Sequence, residues 1–86
     1  MIRNQLIRSG TSIGANIEEA DGTMTKRDFR HKIVIARKEA KETKYWLRLI
    51  NGKYIKPELI AKDIEETQEI INIFSSIINK TRISKS

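Results

Sequence analysis

The amino-acid sequence predicts an all-α protein, an antiparallel bundle of three long helices that associates with further copies of itself. Three observations carry that expectation. Apolar residues recur at alternating spacings of four and three along three separate stretches, the signature of a helix with one buried face. The single Pro and two of the four Gly fall between those stretches, where they punctuate the chain. No stretch alternates apolar and polar residues long enough to suggest a strand.

The first helix is expected over about residues 2–20. Leu6, Gly10, Ile13, Ile17 and Ala20 form its stripe, with Ile2 one turn earlier. Gly22 then offers the left-handed backbone that closes many helices. Ser9 to Ser12 and Gly14 are weak helix formers, so a kink is expected near Gly14. Asn16, polar among apolar neighbours, reads as a buried amide that bonds a neighbouring helix end, with Ser12 in the same network, rather than as a recognition residue.

The second helix is expected over 26–51. Thr25 is a good N-cap, and Asp28 stands where a capping box places its acid. Phe29, Ile33, Ala36, Ala40, Thr43, Leu47 and Ile50 carry the period, and Asn51-Gly52 stops it. The third helix, over 57–80, opens on Pro57, which suits a first turn. Ile60, Ile64, Thr67, Ile71, Phe74 and Ile78 repeat the rhythm, and Ile70, Ile73 and Ile77 widen the apolar face. Residues 1–80 thus form one helical-bundle domain, and 81–86 read as a frayed tail.

Sustained four–three spacing favours near-parallel packing of helix axes, and connections this short favour antiparallel neighbours. A single copy would leave much of Ile70, Ile73 and Ile77 exposed, and contiguous patches of that kind mark contact surfaces. An 86-residue chain without Cys and with one His lacks disulfides or an ordinary zinc site to help its small core. Subunit association is the remaining help. No apolar run approaches the roughly 20 residues of a membrane span, and Ile2-Arg3-Asn4-Gln5 does not begin a signal peptide. The chain reads as soluble and cytoplasmic.

The formal charge is +6. Residues 1–52 hold eleven Lys and Arg against six Asp and Glu, and residues 53–86 hold six against five. On the second helix the excess is ordered. Arg27, Arg30, Val34, Arg37, Lys41, Lys44 and Arg48 lie at spacings of three and four, so six cations share one line. That line runs roughly 30 Å at 1.5 Å per residue. Ile35, Glu39, Glu42, Trp46 and Leu49 occupy the opposite flank. Like charges in a row repel one another, a cost that a polyanion lying against them would offset. Arg27, Arg30, Arg37, Lys41, Lys44 and Arg48 are therefore the candidate nucleic-acid-binding residues, with contact mainly to phosphate and little sequence preference. Two blander readings stand beside this one. The stripe pairs with acids of another helix, Glu58, Asp63, Glu65, Glu66 and Glu69 being available, or it serves solubility alone. Trp46, on the apolar flank, reads as a packing anchor rather than a base-stacking platform, and Tyr45 and Tyr54 as edge residues.

No catalytic site is expected. His31 is the only conventional general base, it falls on an outward position, and its neighbours Arg27, Arg30 and Lys32 are cationic. The sequence has no P-loop, no nucleophile–base constellation, and no sign of a metal or cofactor.

The run Ser12-Ile13-Gly14-Ala15-Asn16-Ile17-Glu18-Glu19-Ala20 resembles the Ser-Ile-x-x-Asn-Ile-x-Glu-Gly signature of bacterial four-helix bundle proteins, the 23S rRNA intervening-sequence or S23-like proteins. Thr25 to Phe29 is similar to that family's helix start. Ile35-Ala36-Arg37, Glu42 and the stretch from Leu47 to Tyr54-Ile55 follow in the family's order. The resemblance covers about residues 3–80. It implies a four-helix bundle, assembly into a pentamer, nucleic-acid binding through a positive surface, and no established catalytic residues. Relatives encoded in ribosomal RNA insertions, or serving as reverse-transcriptase accessories, imply an RNA or reverse-transcriptase complex as partner. Gly14 stands where many relatives have Pro, and Ala20 where many have Gly. The family's first helix would precede residue 2, and this sequence is expected to lack it.

Overall fold

The computed structural model describes residues 1–82 as three helices, α1 (Ile2–Asp21), α2 (Lys26–Ile50) and α3 (Pro57–Lys80). No strand occurs among the described residues, only an isolated bridge between Asn51 and Ile55. Of the tail expected over 81–86, residues 83–86 lie outside the described residues.

The helix ends follow from local chemistry. Thr25 is extended, and its hydroxyl accepts from the Asp28 N–H at 3.0 Å, which satisfies one orphan donor of α2. Only this half of the capping box forms. Replacing Thr25 with Ala is expected to cost about 1 kcal/mol, read as a lowered urea midpoint. The α2–α3 turn closes through Gly52, whose φ of +80° lies in the left-handed region and whose N–H donates to the Ile55 carbonyl at 2.8 Å. Gly22 differs from expectation. Its φ is −89°, so α1 is not closed by a left-handed residue. The Gly22 N–H instead bonds the Glu18 and Glu19 carbonyls, and the Thr23 hydroxyl donates to the Ala20 carbonyl at 2.6 Å. With the last carbonyls satisfied in that way, no left-handed residue is needed. Past Gly14, α1 is uninterrupted helix.

The helices pair antiparallel. Arg8 and Ser9 of α1 meet Glu39, Glu42 and Thr43 of α2, while Glu19 meets Lys32. Arg30 meets Ile78 of α3, and Lys44 meets Gln68. No Cα of α1 comes within 8 Å of one in α3, so the three helices do not close into a triangle. The middle helix α2 carries one neighbour on each flank, and the molecule is a thin slab of 49 × 22 × 16 Å. The reason lies in α2. Ala36 and Ala40 are wholly buried, and such small side chains let both neighbours settle on this helix. Around them gather Ala20, Ile33, Ile71, Phe74 and Ile78, with Ile13, Phe29, Val34 and Ile77 partly buried against the cluster.

The buried face of α1 is turned from the one its apolar spacing predicts. Of the expected stripe, Ala20 is buried and Ile13 packs against the core, but Gly10 and Ile17 are exposed and Ser9 is buried instead. A serine can be buried here because Thr43 donates to its oxygen at 2.7 Å. Beside it, Arg8 donates to Glu39 at 3.0 Å and also engages Glu42. The face is thus set by polar partners on α2 as much as by apolar burial. Asn16 bonds the Ser12 carbonyl at 2.9 Å and the Ser12 hydroxyl at 3.3 Å. The expected network with Ser12 exists, but it stays within α1 and reaches no neighbouring helix.

The hydrogen bond from Arg8 lowers the Glu42 carboxyl below a glutamate's ordinary value of about 4.5. A depressed carboxyl contributes stability that is present above its unfolded value and is lost as pH falls through the folded one. The α1–α2 seam is therefore expected to loosen below about pH 4.5. Urea midpoints of the wild type, followed by circular dichroism from pH 7 to pH 3, should fall more steeply than those of Arg8→Gln.

Candidate nucleic-acid interface

Arg30, Arg37 and Lys44 reach α3, and the helical period sets Arg27, Lys41 and Arg48 on the same line of α2. Arg30 is partly buried, and its Nε donates to the Ile78 carbonyl at 3.2 Å. Arg37 donates to the Ser75 hydroxyl at 3.2 Å, and Lys44 to the Gln68 side-chain carbonyl. Gln68 in turn donates to Asn72 at 2.8 Å. Arg27, Lys41 and Arg48 are exposed.

The partners offered by α3 along this seam are neutral: a hydroxyl, a side-chain amide and a main-chain carbonyl. Neutral acceptors orient the cations without cancelling their charge. Among the described residues, none of Arg27, Arg30, Arg37, Lys41, Lys44 and Arg48 has a carboxylate within 4.0 Å. Of the α3 acids offered by the sequence as partners, Glu66 pairs at 4.0 Å with Lys62 of its own helix. Pairing between the stripe and these acids is not made within one chain.

Charge compensation occurs on the other seam instead. The buried Glu39 pairs with the exposed Arg8, Glu42 receives Arg8 and also accepts from the Trp46 indole at 3.4 Å, and Glu19 pairs with Lys32 at 2.7 Å. The molecule thus separates its charges. Ion pairs fill the α1–α2 seam, while uncompensated cations line the α2–α3 seam. An elongated positive strip held by neutral hydrogen bonds is suited to a row of phosphates, because its field is not spent inside the protein.

Trp46 packs edge-on to Tyr45, with ring centroids 5.0 Å apart, and is partly buried. Tyr45 and Tyr54 are exposed. His31 is exposed and bonds no side chain among the described residues, and no cluster of three or more potential metal ligands occurs there. Arg8 was not legible as a structural residue from spacing, since its two acids lie more than thirty residues away. Arg82, assigned by the sequence to the tail, lies beside Arg27 and Arg30. No helix among the described residues is long and apolar enough to cross a membrane.

Comparison with known proteins gives two findings. The profile of a family described as 23S rRNA-intervening sequence protein matches residues 1–76. A crystal structure of a protein of unknown function from the S23 ribosomal protein family of Bacteroides thetaiotaomicron is similar, with 46% identity and a TM-score of 0.85. The match covers 91% of this chain and 73% of that one. No curated protein matches the chain.

Proposed function

This chain belongs to the 23S rRNA-intervening sequence protein family, and on that premise we propose that it is a non-catalytic protein that binds the phosphate backbone of RNA or DNA. The observation that carries the reading is the row of six α2 cations with no carboxylate partner among the described residues. Such a row gains by exchanging its counterions for phosphates. Binding of this kind carries little sequence information, which suits an accessory to an RNA or reverse-transcriptase complex better than a sequence-specific regulator.

The test is a salt titration. Fluorescence anisotropy with a labelled RNA should give an affinity that falls linearly with salt on logarithmic axes. Six neutralised phosphates correspond to a slope of roughly −4 to −5. An affinity indifferent to salt would reject the proposal.

Self-association belongs to the same proposal. On α3, Ile70 and Ile73 are 39% and 57% exposed, and on α1, Ile7 and Ile17 are 56% and 44% exposed. An open apolar groove of about 750 Å³ lies between Ile2, Leu6 and Ile7 at one side and Ile50, Tyr54 and Ile55 at the other. These surfaces favour a homo-oligomer, with a pentamer the state that family resemblance implies. They also support a second reading, a structural module in which the stripe meets acids of a neighbouring copy. Light scattering separates the two, because only the second has the stripe needed for assembly.

A further inference from the structure

We propose that the four side chains Arg27, Arg30, His31 and Arg82 form a pocket for one phosphate monoester group, at the end of the basic strip. Arg27, Arg30, His31 and Val34 are spaced i, i+3, i+4 and i+7, so one face of α2 presents all four. Arg82, just past the end of α3, completes the wall. With Asp28 and Val34 they line an open depression of about 430 Å³. That lies toward the lower end of small-ligand sites, roughly 300–1,000 Å³, with room for a phosphate and part of the sugar that carries it.

The donors exceed what the protein uses. Only the Nε of Arg30 is committed among the described residues, to the Ile78 carbonyl. Among the described residues no carboxylate lies within 4.0 Å of Arg27, Arg30 or Arg82. The one acid in the wall, Asp28, sets a single negative charge against three guanidiniums. It sits in the first turn of α2, where the helix dipole favours an acid. The α3 carbonyls at this end are occupied as well. The Thr81 hydroxyl donates to those of Ile77 and Ile78, the second of which also receives Arg30. Free guanidinium forks converging on one depression match the bidentate geometry of phosphate oxygens.

A terminal phosphate suits the pocket better than an internal one. A phosphodiester offers one charge and two free oxygens, whereas a monoester carries close to two charges and three strong acceptors. The position points the same way, since the strip formed by Arg37 to Arg48 runs along α2 into the depression. A strand lying on the strip would place its end there. The source of the group, a strand end or free phosphate, rests on the nucleic-acid reading, but the pocket itself does not.

His31 is the only histidine in the chain, so its ring protons report on this pocket alone. Inorganic phosphate titrated at constant ionic strength should shift those resonances saturably, while chloride should not. An equal response to both anions overturns the proposal, whatever the protein does with nucleic acid. In a second arm, oligonucleotides of one sequence ending in phosphate or hydroxyl at either terminus are compared by anisotropy. A strand-end site favours one phosphorylated form by about tenfold, and Arg82→Gln, an exposed position, removes that ratio, weakening the phosphate-ended strand more than the hydroxyl-ended one. A phosphate-induced shift with no terminal preference identifies free phosphate as the ligand. The same shift with no oligonucleotide binding upholds the pocket and rejects the nucleic-acid function.

Discussion

Replacing Arg37, Lys41, Lys44 and Arg48 together with Gln is expected to lower affinity for a labelled RNA at least ~100-fold near physiological salt, and to flatten the salt dependence by roughly three slope units. Four of the six cations along this line of α2 are removed, and each takes one counterion exchange with it. The fold should survive the change. Lys41 and Arg48 are exposed, and Arg37 and Lys44 each make one hydrogen bond to a neutral group that a glutamine amide can also make. Gln forms helix about as well as Lys or Arg, and removing like charges from one face slightly relieves α2. Helicity by circular dichroism should therefore hold while binding goes. If binding persists, the strip is not the nucleic-acid surface. If instead the particle becomes smaller in solution, the strip serves assembly.

The strip was legible because charge and period coincide on α2. Six cations and Val34 at spacings of three and four must share a line once the segment is helical, whatever packs beside it. The helix limits were similarly open to reading, since Thr25, Pro57 and Gly52 act through their own backbone geometry. The rotation of α1 was not. Its stripe of Leu6, Gly10, Ile13, Ile17 and Ala20 looks apolar in one dimension, yet only Ala20 is fully buried and Ile13 partly so. Burial went to Ser9 because Thr43, 34 residues on, supplies its partner. Gly10 and Gly14 instead face open space, with no neighbouring atom within 4 Å of where a side chain would begin. The pocket was hidden for the same reason. Arg82 joins Arg27 and Arg30 only after α3 has folded back along α2, and no local spacing encodes a return of that length. Pairwise partners distant in sequence are what a one-dimensional pattern loses.

The largest loss of stability is expected from Phe74→Ala. Phe74 is 5% exposed and lies in the cluster with Ala36 and Ala40, both 0% exposed. Its phenyl ring shares that cluster with the two short alanine side chains of α2. Those methyl groups cannot extend into the void, so the site collapses poorly and the cavity remains. Truncations of this kind cost about 3–5 kcal/mol. Domains of this size hold only about 5–15 kcal/mol in total, and α3 is fastened to α2 alone. The melting temperature should drop by ~12 °C or more, and α3 should detach first, seen as early loss of amide protection around Ile71 and Ile78. Ile73→Ala is the matched control, because that side chain is 57% exposed. It should leave the melting of a dilute, monomeric sample nearly unchanged while weakening any association that covers the α3 face. Equal destabilisation by the two substitutions would mean that α3 docks through a different face, and the seam that orients Arg37 and Lys44 would be lost with it.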